Sequence, residues 1–324
     1  MSPEAKGGRA GAQSQRPGVS DRNAAGGAGS SSRLPGLRFA DLHLHTHFSD
    51  GTYSPEELVS HARRQGLAAL SLTDHDTVEG CPRTARACAA VGIEFISGVE
   101  LTAEQEGEES HILGYLVDTG NPQLLAWLSR CQLVRQNRIR EIVARLNRLQ
   151  VAVTAEAVFA LANCNAPGRP HVARVLIRAG YCANQEEAFE RFLKKSRPAW
   201  VPKFKMSVAD AIGLIHKAGG VAVLAHPELN HADGAIPAIV KAGLDGIECF
   251  HTKHSTATVE HYLEMADRYH LLVTGGSDCH GMNKGKPLIG TVKVPYQHVE
   301  ALKTRAAEIR AAAPSMKASS QPGN

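Results

Sequence analysis

The chain has 324 residues, 43% hydrophobic and 21% charged, and contains no apolar run long enough to span a bilayer. Seven cysteines without paired spacing exclude a disulfide framework and a structural zinc finger. The net charge of +4 is unevenly placed: residues 1–38 carry six Lys/Arg against two Asp/Glu, residues 123–205 carry fifteen against five, and the remaining body is acidic. A basic segment within an acidic body suits an anionic substrate better than a uniform coat of nucleic acid, so sequence-specific DNA binding is not expected. Reduced thiols and the lack of a secretory signal pattern predict a cytoplasmic location.

Residues 1–38 are rich in Gly, Ala, Ser and Arg and lack periodicity, which predicts a disordered tail; residues 313–324 read the same way. From Phe39 strand and helix patterns alternate. Strands are expected at 39–46, 68–73, 93–100, 110–117, 221–225, 245–250 and 271–275. Helices are expected at 55–65, 77–91, 207–218, 234–242, 256–269 and 297–311. Ser54-Pro55-Glu56-Glu57 carries a helix start: a capping serine, a proline at the first helical position and acids in the first turn. Alternating βα units predict an α/β fold with a parallel sheet, doubly wound or closed as a barrel of seven strands. Residues 120–205 break the rhythm with a long amphipathic helix from Trp127 to Leu149 and shorter helical patterns. They are expected to form a basic helical insertion between the barrel segments 39–119 and 206–312, placed to cap a substrate.

Chemistry gathers at the expected strand ends. His43 and His45 alternate onto one face of the first strand, with Asp50 just beyond. His75 ends the second strand, Glu100 the third and His226 the fifth, while His111 opens the fourth and Asp278 and His280 follow the seventh. In a βα barrel those ends form one rim, where residues distant in sequence converge. Nine imidazole and carboxylate groups exceed the three or four that one tetrahedral zinc takes, and suit two or three ions that share a carboxylate.

The clusters His43-Leu44-His45, Thr73-Asp74-His75, Ala225-His226-Pro227 and Ser277-Asp278-Cys279-His280 together resemble the motifs of the PHP (polymerase and histidinol phosphatase) superfamily over roughly residues 39–300. The runs His47-Phe48-Ser49-Asp50-Gly51-Thr52 and Gly168-Arg169-Pro170-His171 resemble its branch linked to tryptophan operons, which includes nucleoside 3′,5′-bisphosphate phosphatases and 5′-to-3′ exoribonucleases. The resemblance implies a distorted seven-stranded βα barrel with a helical insertion and up to three metals at the rim. It assigns His43, His45, Glu100 and Asp278 to one metal, Glu100, His111 and His226 to a second, and Asp50, His75 and His280 to a third. Many members have His where this chain has Asp50, and an oxygen ligand there makes the third site more manganese-like, with zinc and iron as alternatives.

The implied function is a metal-dependent phosphoesterase that uses metal-activated hydroxide, with no side-chain nucleophile, to remove the 3′ phosphate of a nucleoside 3′,5′-bisphosphate. Trimming of short 5′-phosphorylated RNA is the alternative, and a non-catalytic metal-binding regulatory module is a reading from another class. Arg169 and His171 read either as a helix start or as a phosphate clamp, and the basic insertion and the resemblance support the clamp. Arg135 and Arg138 lie on a helix whose arginines read as a solvated face, from which either could turn inward. His251 ends the sixth strand, where it would touch substrate or a ligand. Asp74 is expected to hydrogen-bond a ligand histidine, Asp76 to cap the following helix, His47 to stand outside the ligand set, and Cys279 to face away.

Overall fold

A computed structural model describes residues 37–203, 206–284 and 286–312, so the expected tails lie outside the described residues apart from Leu37 and Arg38. The first half contains β1 (Phe39–Asp41), α1 (Pro55–Arg64), β2 (Ala69–Leu72), α2 (Cys81–Val91), β3 (Glu94–Gln105) and β4 (Glu108–Tyr115). The helices α3 (Pro122–Arg148), α4 (Ala155–Ala162), α5 (Arg169–Arg178) and α6 (Gln185–Ala188) follow, and a π-helical turn Phe189–Leu193 continues α6. The chain then returns through β5 (Met206–Ser207), α7 (Val208–Lys217), β6 (Val221–Leu224), α8 (Ile236–Lys241), β7 (Gly246–His251), α9 (Thr256–Arg268), β8 (Leu272–Gly276), β9 (Val294–Pro295) and α10 (Gln297–Ala312). The expected helix start at Ser54 is present as a reciprocal capping box with Glu57.

Among the described residues the sheet has nine strands, in the order β8-β7-β6-β4-β3-β2-β1-β9, with β5 against β3. It is mixed rather than parallel, because β4 runs antiparallel to both β3 and β6. The cause is local: Glu106 and Gly107 both adopt left-handed φ, at 52° and 85°, and form a two-residue hairpin that turns the chain straight back. The sheet curls until β8 meets the segment after β1, where the Leu42 amide donates to the Gly275 carbonyl at 3.2 Å and Leu44 bridges to Cys279. A Cβ on Gly276 would lie 2.3 Å from the His43 backbone nitrogen, so the barrel closes this tightly only with glycine there.

Alternation along the strands divides the core. Leu70, Val99, Leu101, Ile112, Ala222, Leu224 and Ile247 pack beneath α1, α2, α7 and α9. Their neighbours Ala69, Ile96, Leu113, Tyr115, Val221 and Val223 pack with Val299, Leu302 and Ala306 of α10. Glu100 shares a strand face with Ile96, and His111 shares one with Leu113, so the face that is apolar at one end of the barrel carries the candidate ligands at the other. The helices between β4 and β5 surround a further apolar cluster centred on Ile142, Leu146, Val158, Val172, Leu176 and Leu193. No helix among the described residues is long and apolar enough to cross a membrane.

Candidate metal centre

Glu100 is the centre of the site and is fully buried. It lies within β3, which continues to Gln105 rather than ending at residue 100 as the sequence suggests. Its Oε2 faces His75 Nδ1 at 3.0 Å and the Nε2 atoms of His43 and His45 at 3.3 Å each. Its Oε1 faces His111 Nδ1 at 2.7 Å and His226 Nε2 at 3.1 Å. Asp278 Oδ1 is 3.2 Å from His45 Nε2 and 3.6 Å from His43 Nε2, and His280 Nε2 is 3.2 Å from Asp50 Oδ1.

All nine expected ligands therefore converge, in four groups whose donor atoms lie within 4.8 Å of one another: His45/Asp50/His75/His280, His43/His45/Asp278, His43/Glu100/His226 and His75/Glu100/His111. The grouping differs from the implied one: His226 stands with His43, His111 with His75, His45 also joins Asp50, His75 and His280, and Glu100 is not grouped with His45 and Asp278. His43 and His45 do not end a strand as expected, because β1 stops at Asp41. They sit in the extended segment that closes the barrel.

The backbone places these groups through unusual local conformations. His226 and Asp278 have φ of 28° and 50°, in the left-handed region that non-glycine residues rarely adopt. Asp41 is buried and accepts from the amides of Ser277 at 2.8 Å and Gly290 at 2.9 Å, which ties the Asp278 loop to β1. Asp74 bonds no ligand ring, contrary to expectation. It accepts instead from the Thr46 amide at 2.7 Å, the Thr46 hydroxyl at 2.5 Å and the Ser49 hydroxyl at 2.6 Å, and so holds the loop between His45 and Asp50.

Sequence reasoning missed Glu248, which accepts from the His226 amide at 2.8 Å and lies 3.0 Å from His43 Nδ1. A bulge between Glu248 and Phe250 shifts the register, so that Glu248 and His251, three residues apart, both reach the cluster. His251 Nε2 lies 3.5 Å from Asp278 Oδ2.

Charge and burial oppose one another here. Burial works to raise Glu100, but the histidines around it, led by His75 and His111, hold it well below the usual carboxylate range. Asp50 and Asp278, likewise buried, are held low chiefly by His280. Burial and the neighbouring His280 push His45 down to about 3. His45 Nδ1 and Nε2, Asp50 Oδ1 and His75 Nδ1 are buried without a hydrogen bond, although imidazole nitrogens or carboxylate oxygens stand 3.0–3.3 Å from three of them. Donors and acceptors this close that do not hydrogen-bond one another fit cations between them. Imidazole and carboxylate donors without thiolate fit manganese, iron or zinc.

Beside His75 and His111 lies a cavity of about 130 Å³, whose far wall holds Arg135, Arg138, Arg169 and Lys203. Lys203 was missed from the sequence, and its partner Asp76 has a role other than the one expected. Asp76 does not cap a helix, since α2 starts at Cys81 after Gly80. It is buried at φ 51°, accepts from the Thr102 amide at 3.0 Å, and pairs with Arg135 through Nε at 2.8 Å and Nη2 at 2.5 Å. Lys203 lies 3.4 Å from Asp76 and also bonds the Thr102 hydroxyl.

Arg138 and Arg169 differ from Arg135: their hydrogen bonds go to backbone carbonyls, Val201 at 2.9 Å and Leu193 at 3.2 Å. Burial and the adjacent Arg169 push Arg138 down to about 9. His171 is buried at the helix start, where its Nδ1 accepts the Gly168 amide at 3.0 Å. Burial and Arg174 push it down to about 4, so it is neutral there. His47 is half-buried against Phe48, and Cys279 is buried with its sulfur on the Gly281 amide. A roomier groove of about 720 Å³ between α3 and α7, lined by Trp127 and Lys217, contains none of these groups.

Comparisons with known proteins agree with this chemistry. The family model for the PHP domain matches residues 41–197. A 3′,5′-nucleoside bisphosphate phosphatase of Chromobacterium violaceum is 33% identical over 258 residues, 77% of this chain and 90% of that protein. A 5′-3′ exoribonuclease of Haemophilus influenzae is 38% identical over 187 residues, 58% of this chain and 68% of the relative. A crystal structure from Bifidobacterium adolescentis, assigned as a metal-dependent phosphoesterase, superposes with a TM-score of 0.77 at 32% identity over 82% of this chain and 96% of that one. Fold and site together define a metal-dependent phosphoric ester hydrolase. The chain belongs to the PHP family, and its curled mixed sheet is that family's barrel.

Proposed function

We propose that this enzyme removes the 3′ phosphate from nucleoside 3′,5′-bisphosphates. One observation carries the reading: two guanidiniums hydrogen-bonded to backbone carbonyls, Arg138 and Arg169, face the candidate ligands across a cavity small enough for one substrate to touch both walls. Guanidinium offers paired donors for a phosphate. The 5′ phosphate sits on Arg138 and Arg169, and the 3′ phosphate lies against the rim of Glu100, His75 and His111. Arg135, bound to Asp76, and Lys203 add positive charge to the same wall.

The nine imidazole and carboxylate groups would hold two or three divalent ions, with manganese favoured over zinc or iron by the oxygens of Asp50, Glu100 and Asp278. Such ions activate water and neutralise phosphoryl charge when bound. Glu248, Asp74 and Asp41 keep the rim in shape, and the helices between β4 and β5 cover the substrate and exclude bulk water.

Trimming of short 5′-phosphorylated RNA is the second reading, supported by the Haemophilus influenzae relative, because such an RNA presents the same 5′ phosphate beside a 3′ phosphoester. The deciding experiment compares kcat/KM for a nucleoside 3′,5′-bisphosphate with that for a 5′-phosphorylated oligoribonucleotide, using manganese-loaded protein. A clear excess for RNA would replace the first reading with the second. No hydrolysis of either, with metal bound, would leave a binding module.

A further inference from the structure

The cavity between the arginine pair and the rim opens past Glu109 and Lys203 into a second hollow of about 250 Å³, which also holds Trp200, Pro202 and Lys195. We propose that this hollow receives the nucleobase of the substrate, stacked on the Trp200 indole; the proposal rests on the nucleotide reading above. Three observations carry it.

The hollow is continuous with the phosphate wall, because Arg138, Arg169, Glu109 and Lys203 line both spaces. A ligand whose phosphate bonds the arginines therefore has the hollow within reach of its neighbouring groups.

The charge changes beyond the junction. Glu104 and Glu108 line only the hollow, where Lys195 pairs with Glu108 at 3.2 Å. Carboxylates added beside the arginines offer acceptors to the N–H edges of an uncharged ring. The volume, below the roughly 300–1,000 Å³ of whole ligand sites, matches a ring system rather than a complete nucleotide.

Trp200 is half-buried on a backbone fixed at both polar atoms: its amide donates to Arg197 at 2.9 Å and its carbonyl accepts from Arg145 at 2.5 Å. An indole on an anchored backbone gives a platform with little ordering cost on binding.

The test compares adenosine 3′,5′-bisphosphate with base-free ribose 3,5-bisphosphate. Trp200→Ala should raise KM for the nucleotide about tenfold, the scale of one lost base–aromatic stack, and leave the base-free compound nearly unchanged. Trp200→Phe should retain most of the nucleotide affinity. Equal losses on both compounds would overturn the proposal.

A binding readout keeps it independent of turnover. The chain has two tryptophans, so Trp127→Phe leaves Trp200 as the single emitter. The nucleotide should quench its fluorescence and ribose bisphosphate should not. Absence of quenching at saturating nucleotide would reject the hollow as the base site, even for a protein that hydrolyses neither compound.

Discussion

Glu248 Oε1 lies 3.0 Å from His43 Nδ1 in a pair that solvent does not reach. Burial opposes charge on the His43 ring, but Glu248 and then Glu100 raise its proton affinity well above the usual imidazole value. Glu248 thereby fixes a proton on Nδ1 and leaves Nε2 directed at Glu100 and Asp278. Glu248→Gln keeps the shape and removes the charge. It should weaken metal affinity about tenfold to a hundredfold, the usual effect of losing a carboxylate behind a ligating histidine. Metal-buffer titration of the variant checks this, and an unchanged affinity would restrict Glu248 to bonding the His226 backbone.

Glu100 offers a different oxygen to each half of the cluster. Glu100→Ala should therefore lower occupancy at more than one position, and EDTA should abolish hydrolysis by the wild type. Elemental analysis of the variant decides: metal content equal to wild type would remove Glu100 from the shared position.

Arg169→Ala should reduce kcat/KM for a 3′,5′-bisphosphate by about tenfold to a hundredfold, since bonds to charged groups contribute roughly 1.5–3 kcal/mol. Turnover of a small aryl monophosphate, with no second phosphate to hold, should change far less. An equal loss on both substrates would place Arg169 in the reacting centre or in folding instead.

Asp76 pairs with both Arg135 and Lys203 where little water reaches. Removing one partner of a buried ion pair leaves uncompensated charge, which costs about 3–5 kcal/mol. Asp76→Ala should lower the denaturation midpoint strongly, and Asp76→Ala combined with Arg135→Met should recover much of the loss. Additive losses in that cycle would show that the pair is not the source of the stability.

His171 supplies a pH-dependent contribution. Its folded pKa is lowered to about 4 from 6.5, so the fold favours the neutral ring that accepts the Gly168 amide. Between those values the unfolded chain binds a proton that the folded chain refuses. The contribution is therefore complete above about pH 6.5 and is lost as pH falls toward 4, at most on the order of 3 kcal/mol. His171→Asn, which can accept the same amide without titrating, should lose less stability over that window than wild type. Parallel acid profiles for the two proteins would assign the loss to other groups.

Much of the site was legible from types and spacing alone. The nine ligand candidates were readable as imidazoles and carboxylates near the expected strand ends, the places from which side chains reach a barrel's rim, although His111 opens rather than ends its expected strand. The helix start at Ser54 was readable for the same kind of reason: capping depends on residues within one turn. Charge counting also placed a basic segment beside an acidic body.

What the sequence alone left open depended on contacts between distant segments. Glu248 looks like any polar residue in an apolar strand until the bulge in β7 turns it toward His43. Asp76 reads as a helix cap until the Arg135 side chain arrives from α3, and His171 reads as a phosphate ligand until its ring closes on Gly168. The reversal at Glu106-Gly107 makes β4 antiparallel, which carries His111 back alongside Glu100 instead of onto a parallel strand of its own. Local pattern determines which residues can share a face, because backbone periodicity is a short-range property. Which partners those faces meet is decided only when the sheet curls, closes at Gly276 and brings residues more than two hundred positions apart into contact.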